Sequence, residues 1–392
     1  MDMGQEKQEK VHFVIIFLLV SFNLRMGFSA ADPLLLQVMK SMHMGSGSSG
    51  LFGMLPIMAL GIAAPAGAVL VRWVSPRRLV VYALLLATLG IIWRSWGSLP
   101  GLFGGTLIIG FGLGVAGSVI LGVARQVVQQ NLPVLMSAYT ACVSLGTAVG
   151  AGAAAPVARM LGGWQPGLMF WGIPLLLAAA LWSIHIMKHK NSGGRSHPLR
   201  APILPLLHQR NARMITLYYL FRVASAWLLI VWLASLLGER GLPAYEAGLA
   251  LSVVTACQIP GALLAGTLSH WLGGIHRLIA LATLLAVAAC WGLLVAPLSA
   301  WPWAAMCLGA GLGSIFSVGM SLIAASQPDE GSTIALSGLA QGVGFIGGGL
   351  LAWGAGFCVK LPNPCLWMAV TYSTLALCGL YFGLQCTEKP AR

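Results

Sequence analysis

The chain has 392 residues, of which 58% are hydrophobic and only 8% charged. A soluble domain carries about a quarter charged residues, so this composition excludes one and implies an all-α integral membrane protein, whose length divides into spans. The net charge of +13 does not call for nucleic acid, because the basic residues lie in loops between apolar runs, where membrane orientation accounts for them.

The first apolar run covers residues 11–36, VHFVIIFLLVSFNLRMGFSAADPLLL. It lacks a small-residue cleavage site followed by a polar mature region, so it is expected to stay as a span. Arg25 lies roughly 22 Å beyond Lys10 at helical rise, well inside a hydrocarbon layer of about 30 Å. A lone arginine there costs about 2.5 to 3.5 kcal/mol on insertion scales and persists where it meets a partner or a wet cavity. Ser21, Arg25, Ser29 and Asp32 follow at spacings of 4, 4 and 3 and share a helix face. That face reads as one wall of an aqueous, anion-attracting cavity. Of the nine acidic residues only Asp32 comes near mid-membrane; it is a candidate for coupling, a tether for Arg25, or a turn residue before Pro33.

Further apolar runs cover residues 49–71, 79–93, 102–124, 136–158 and 167–187. After a polar, basic stretch come 214–237, 245–272, 278–295, 302–325, 333–359 and 366–384. That makes twelve transmembrane helices: an N-terminal six-helix bundle (1–187), a cytoplasmic linker (188–213) and a C-terminal six-helix bundle (214–392). With the N-terminus inside, 15 Lys and Arg fall in cytoplasmic segments and 5, including Arg94, in outer ones. Both termini are therefore expected in the cytoplasm. Tryptophans near span ends, Trp93, Trp96, Trp164, Trp301, Trp303 and Trp367, read as interface anchors.

A shift of 199 residues lays Gly67 on Gly266, Arg78-Leu79 on Arg277-Leu278, Phe22 on Phe221, and GFGLG at 110–114 on GAGLG at 309–313. One offset holding across separate span pairs marks an internal repeat, hence two pseudo-symmetric six-helix bundles. Under the same shift Arg222 falls on Asn23, two positions from the equivalent of Arg25. It lies about 13.5 Å beyond Arg213 at helical rise. Tyr218, Arg222 and Ser225 share a face. Two permanently charged, planar guanidinium groups at similar depth suggest a two-sided anion clamp; a structural pairing is the other reading.

Asn23, Ser29 and Gln341 are candidates to orient the solute, and Gln258 and Gln341 either face the cavity or hydrogen-bond across helices. Trp227, beside Arg222, could wall a flat substrate. Gly146, Gly150 and Gly152 with Pro156, and the GVGFIGGG run at 342–349, permit close helix approach or gating. The eight cysteines show no CxxC and no histidine pairing at zinc spacing; Cys358 and Cys365 flank a short outer loop and could pair. The eight histidines lie at span ends or in loops. No metal spacing, nucleophile constellation or cofactor loop supports an enzyme, and the GxG patterns sit inside spans, where a nucleotide-binding reading fails.

Several segments resemble the cyanate porter family of the major facilitator superfamily, which includes 2-nitroimidazole transporters. They are Asn23-Leu24-Arg25 with the following SAADPLL, GWQPGLMFWGIPLLL at 163–177, GLGSIFSVGMSLIAAS at 311–326 and LAQGVGFIGGGL at 339–350. The superfamily's GxLaDrxGrr gating loop after span two survives as Gly67, Arg72, Arg77 and Arg78, without its aspartate. The resemblance implies a secondary transporter in a bacterial inner membrane, acting on small anions such as cyanate by alternating access. Its alternative is export of small flat aromatic compounds such as 2-nitroimidazole. The expected partners are a small solute and the lipid bilayer, with no cofactor, no nucleic acid and a monomeric state.

Overall fold

A computed structural model describes residues 3–42, 46–128, 131–188 and 200–387. Most of the expected linker, residues 189–199, lies outside the described residues. In chain order the helices are α1 (Met3–Ser29), α2 (Leu35–Ser41), α3 (Ser46–Leu70), α4 (Pro76–Arg94), α5 (Leu99–Val127), α6 (Leu132–Met160), α7 (Trp164–Met169), α8 (Gly172–Lys188), α9 (Arg210–Glu239), α10 (Ala244–Trp271), α11 (Ile275–Leu294), α12 (Trp301–Ala325), α13 (Glu330–Gly354) and α14 (Pro364–Leu384). Among the described residues 11 helical segments are long and apolar enough to cross a membrane, and the shorter apolar helix Leu55–Leu70 within α3 takes the remaining place. Large apolar side chains such as Ile15, Ile62, Leu89, Leu177, Leu264 and Leu284 stay exposed, as a lipid-facing surface requires.

Local sequence sets the helix ends. Proline stands in the first two positions of α4, α5, α6, α12 and α14, where its missing N–H costs nothing and its fixed φ suits the helix. At the other end, Gly162, Gly241 and Gly273 take φ of +82°, +93° and +74° after α6, α9 and α10. The next residue's N–H then reaches back to Ala158, Leu237 and Ser269 O, closing the carbonyl row of each helix.

Residues group by proximity into two compact units. One comprises Met1–Leu132, Cys142–Leu206 and Gln327–Gly342; the other Pro133–Ala141, Leu207–Ser326 and Val343–Arg392. In the first unit α5 is wedged between α3 and α4. A Cβ on Gly110 or Gly114 would strike Ala59 or Ala63 of α3, and one on Gly112 would come 2.5 Å from Ala83 O of α4. In the second unit α12 repeats the wedge: Gly309 and Gly313 lie against Val254 and Gln258 O of α10, and a Cβ on Gly311 would come 2.9 Å from Ala282 O of α11. The repeated GxGxG is thus a packing device, two glycines on one side and the middle one on the other.

Four expectations change. The first span is not one helix: α1 stops at Ser29, a 3-10 turn runs Asp32–Leu34, and α2 follows, because Pro33 has no N–H to offer Ser29 O and its ring crowds that carbonyl. Trp164 is no interface anchor but is buried with Met26, Leu34, Leu102 and Leu168. Arg94, counted with the outer loops, ends α4 and is 1% exposed. Cys358 and Cys365 are free thiols.

Gly112→Val and Gly311→Val should each cost about 1–3 kcal/mol through overpacking. Gly152→Ala, where an added carbon meets nothing within 4 Å, should be tolerated. Thermal unfolding in detergent measures all three; equal melting temperatures would sink the wedge account.

Candidate functional site

The site residues expected in the first unit gather on α1. Ser21 Oγ donates to Phe17 O (2.6 Å) and Ser29 Oγ to Met26 O (3.2 Å) and Thr147 O (3.0 Å). Both serines are buried. The packing is close because Gly146 and Gly150 of α6 let Phe22 O and Met26 O approach to where a Cβ would stand. Asn23 is buried, its Nδ2 donating to Leu19 O (2.9 Å) while Oδ1 has no partner. Arg25 is half-buried, whereas Asp32 is exposed.

Arg94 gave no sequence signal beyond its charge. Beyond Ser29, Ala31 N turns to Phe28 O, and the Gly27 carbonyl accepts Arg94 Nη2 at 2.9 Å instead. Arg94 Nε is buried without a partner. Gly105 of α5 makes room by packing against the Arg94 backbone, where a Cβ would come within 2.5 Å.

Gln341, from α13, belongs to the same unit. Its Nε2 donates to Ser337 Oγ (2.8 Å) and reaches Gly117 O of α5 at 3.4 Å. Of the loop glycine and arginines, Gly67 abuts Ser118 and Val119 of α5, and Arg72 and Arg78 are exposed. Arg77 is half-buried, its carbonyl accepts Trp182 Nε1 at 3.0 Å, and Glu330 attracts its guanidinium.

In the second unit Arg222 is half-buried with its guanidinium 3.9 Å above the Phe316 ring and 5.3 Å from the Tyr219 ring centroid. Cation–π attraction of this kind is worth about 0.5–2 kcal/mol, more as water is excluded. Tyr219 in turn meets Phe345 edge-on, centroids 6.1 Å apart. Tyr218 is buried and its hydroxyl donates to Ile315 O at 2.9 Å. Trp227 and Gln258 are half-buried. Phe316 was missed from sequence because a phenylalanine within an apolar run carries no polar mark; its position 94 residues from Arg222 becomes meaningful only once α12 packs on α9.

The apolar spans, the internal repeat and the charged groups set within them define a polytopic membrane transporter. The Major Facilitator Superfamily model matches residues 17–352, and the chain belongs to that superfamily, whose members carry small-molecule solutes across membranes. It is 26% identical over 368 residues to the cyanate transport protein CynX of Escherichia coli K12, covering 94% of each chain. It is also 26% identical over 386 residues to the 2-nitroimidazole transporter of the same organism, covering 96% of each. Among solved structures, the superfamily transporter FucP in its outward conformation shares the fold with a TM-score of 0.73 at 15% identity, over 95% of this chain and 99% of that one.

Phe316→Leu and Arg222→Met should be non-additive in unfolding free energy by about 0.5–2 kcal/mol. A double-mutant cycle on purified protein measures it; strict additivity would show that the ring does not hold the guanidinium.

Proposed function

We propose that this transporter moves a small monovalent anion of the cyanate kind across the bacterial inner membrane by alternating access. The observation that carries the reading is a pair of half-buried guanidinium groups, Arg25 on α1 and Arg222 on α9, set within apolar spans of repeat-related helices. Intramembrane arginine marks an ion pathway by default, and its fork of N–H donors suits a small anion. Similarity to the cyanate transport protein supports the same class of cargo. In this reading Arg25 and Arg222 supply the positive field, each from its own unit. Asn23 and Ser29 shape the α1 wall, Gln341 and Gln258 add polar character, and Asp32 is the coupling carboxylate. Residues 1–187 and 214–392 act as the two moving halves, joined by the linker 188–213, with both termini in the cytoplasm, as the lysine and arginine distribution favours. Gly67, Arg72, Arg77 and Arg78 form the gating loop, with Glu330 as the partner of Arg77.

A second reading, export of flat aromatic compounds, draws support from the ring-lined surroundings of Arg222 and from the 2-nitroimidazole relative. There Trp227, Tyr218 and the rings around Arg222 dominate recognition, and Arg25 matters through structure.

Cells carrying Arg25→Gln or Arg222→Gln should take up labelled cyanate at least about tenfold more slowly than wild type, with Arg25→Lys keeping part of the flux. Wild-type cyanate flux in both Gln variants, with 2-nitroimidazole resistance lost in Trp227→Ala, would replace the first reading by the second.

A further inference from the structure

We propose that Phe316 sets the anion selectivity of Arg222. Its ring covers one face of the guanidinium and holds the group flat, so that weakly hydrated monovalent anions are taken before strongly hydrated ones. The inference rests on the anion reading above and deepens it, naming the class of anion and the residue that chooses it.

Tyr218 and Arg222 stand one turn apart on α9 and share a face. The buried Tyr218 hydroxyl donates to Ile315 O of α12 at 2.9 Å, which fixes the register of α12 on α9. Phe316, next in sequence to that acceptor, thereby lies under Arg222, with Cζ 3.9 Å from the ring centroid. Tyr219 flanks the same guanidinium at 5.3 Å. The GVGFIGGG run lets α13 press close on this part of α9. A Cβ on Gly344 would strike the Tyr219 ring, and one on Gly348 would come 2.7 Å from Val223 Cγ1. Phe345 then backs Tyr219 edge-on, centroids 6.1 Å apart.

Distance fixes how the guanidinium lies. A C–N bond is about 1.3 Å long, so a nitrogen aimed at the ring from a Cζ at 3.9 Å would stand about 2.6 Å from it. Non-bonded contact begins at about 3.5 Å. The group therefore lies flat on Phe316, and its N–H bonds run along the ring plane rather than into it. One face of the cation is closed to water, and an anion is met by donors at the edge. Phe316 and Arg222 are both half-buried, so the pair is not sealed inside packing.

Selectivity follows from water. A ring-backed guanidinium is itself weakly hydrated, and its few donors return little to an anion that has given up a strong hydration shell. Formate concentrates its charge on two oxygens and loses more water than the edge restores. Nitrate and cyanate spread their charge more widely and lose less. Without the ring the cation is no longer held flat and water returns to its face. Both kinds of anion are then met through water, and the preference narrows.

The test uses purified full-length protein in proteoliposomes, with labelled cyanate as the probe and unlabelled nitrate or formate as competitor. The two competitors are flat monovalent anions of similar size and unlike hydration. In wild type, nitrate should inhibit cyanate uptake at least about tenfold more strongly than formate. Phe316→Leu, which refills much of the volume without a π face, should narrow that ratio by about fivefold or more. Phe316→Tyr, which restores the face, should keep it. Folded yield by size exclusion is read for each variant, and Phe316→Met replaces a leucine variant that does not fold. A wild-type ratio near one, or an unchanged ratio in the folded leucine or methionine variant, overturns this inference; loss of cyanate uptake in Arg222→Gln then leaves the anion reading standing. Both variants failing to fold assigns the ring to packing alone and overturns it as well. Wild type carrying no cyanate, or Arg222→Gln carrying it as well as wild type, overturns both.

Discussion

Polar groups in an apolar bundle need from the protein what water would otherwise provide, and the end of α1 is where this requirement shapes most of the surrounding structure. When α1 stops at Ser29, the Gly27 carbonyl loses its helical donor and takes Arg94 Nη2 instead. That single substitution of donor brings a full positive charge into the interior. A break in one helix is thus answered by a guanidinium from another, and α5 makes room for it through Gly105, packed against the backbone of Arg94 itself. Backbone satisfaction and glycine packing are one linked constraint here.

Elsewhere the helices are joined by small neutral contacts. Gln341 reaches Gly117 O in the first unit, and in the second Ser137 Oγ pairs with Ser317 Oγ at 2.9 Å and accepts Gly266 N at 3.1 Å. Gln341 and Ser137 lie in the two segments, Gln327–Gly342 and Pro133–Ala141, that each belong to the unit built mainly from the other half of the sequence. Neutral hydrogen bonds contribute about 1 kcal/mol each. Joints of this kind can be made and broken at modest cost.

The spans and the repeat were legible because apolar runs, proline starts and glycine ends are local signals that tertiary packing rarely overrides. The GFGLG and GAGLG segments also declared themselves, since a wedge helix needs small residues on both sides and two equivalent wedges need them twice. What escaped was whatever depends on a distant partner. Arg94 follows an apolar run and precedes Trp96-Gly97-Ser98, so it read as a loop charge; only the break in α1 gives it a carbonyl to enter. Trp164 looked like an interface tryptophan until the cluster around Met26 and Leu34 closed over it. Phe316 had no polar mark at all. Arg25 and Arg222 could be located from depth alone, but α1 breaks just beyond Arg25 whereas Arg222 lies among aromatic rings, and a repeat offset carries no trace of that.

This difference is the physically informative one. The two halves of the sequence repeat their wedge and their guanidinium-to-carbonyl link between first and third helices, yet the link runs in opposite senses. Arg94 belongs to the third helix and caps the first, while Arg240 follows the first and caps the third. A repeated scaffold can therefore stay nearly symmetric in backbone while its charge becomes one-sided. Arg240 meets three carbonyls at a helix end, whereas the more deeply buried Arg94 meets one. In the second unit Arg222 lays its guanidinium on the faces of Phe316 and Tyr219, a neutral backing that holds the group in place and leaves its charge intact.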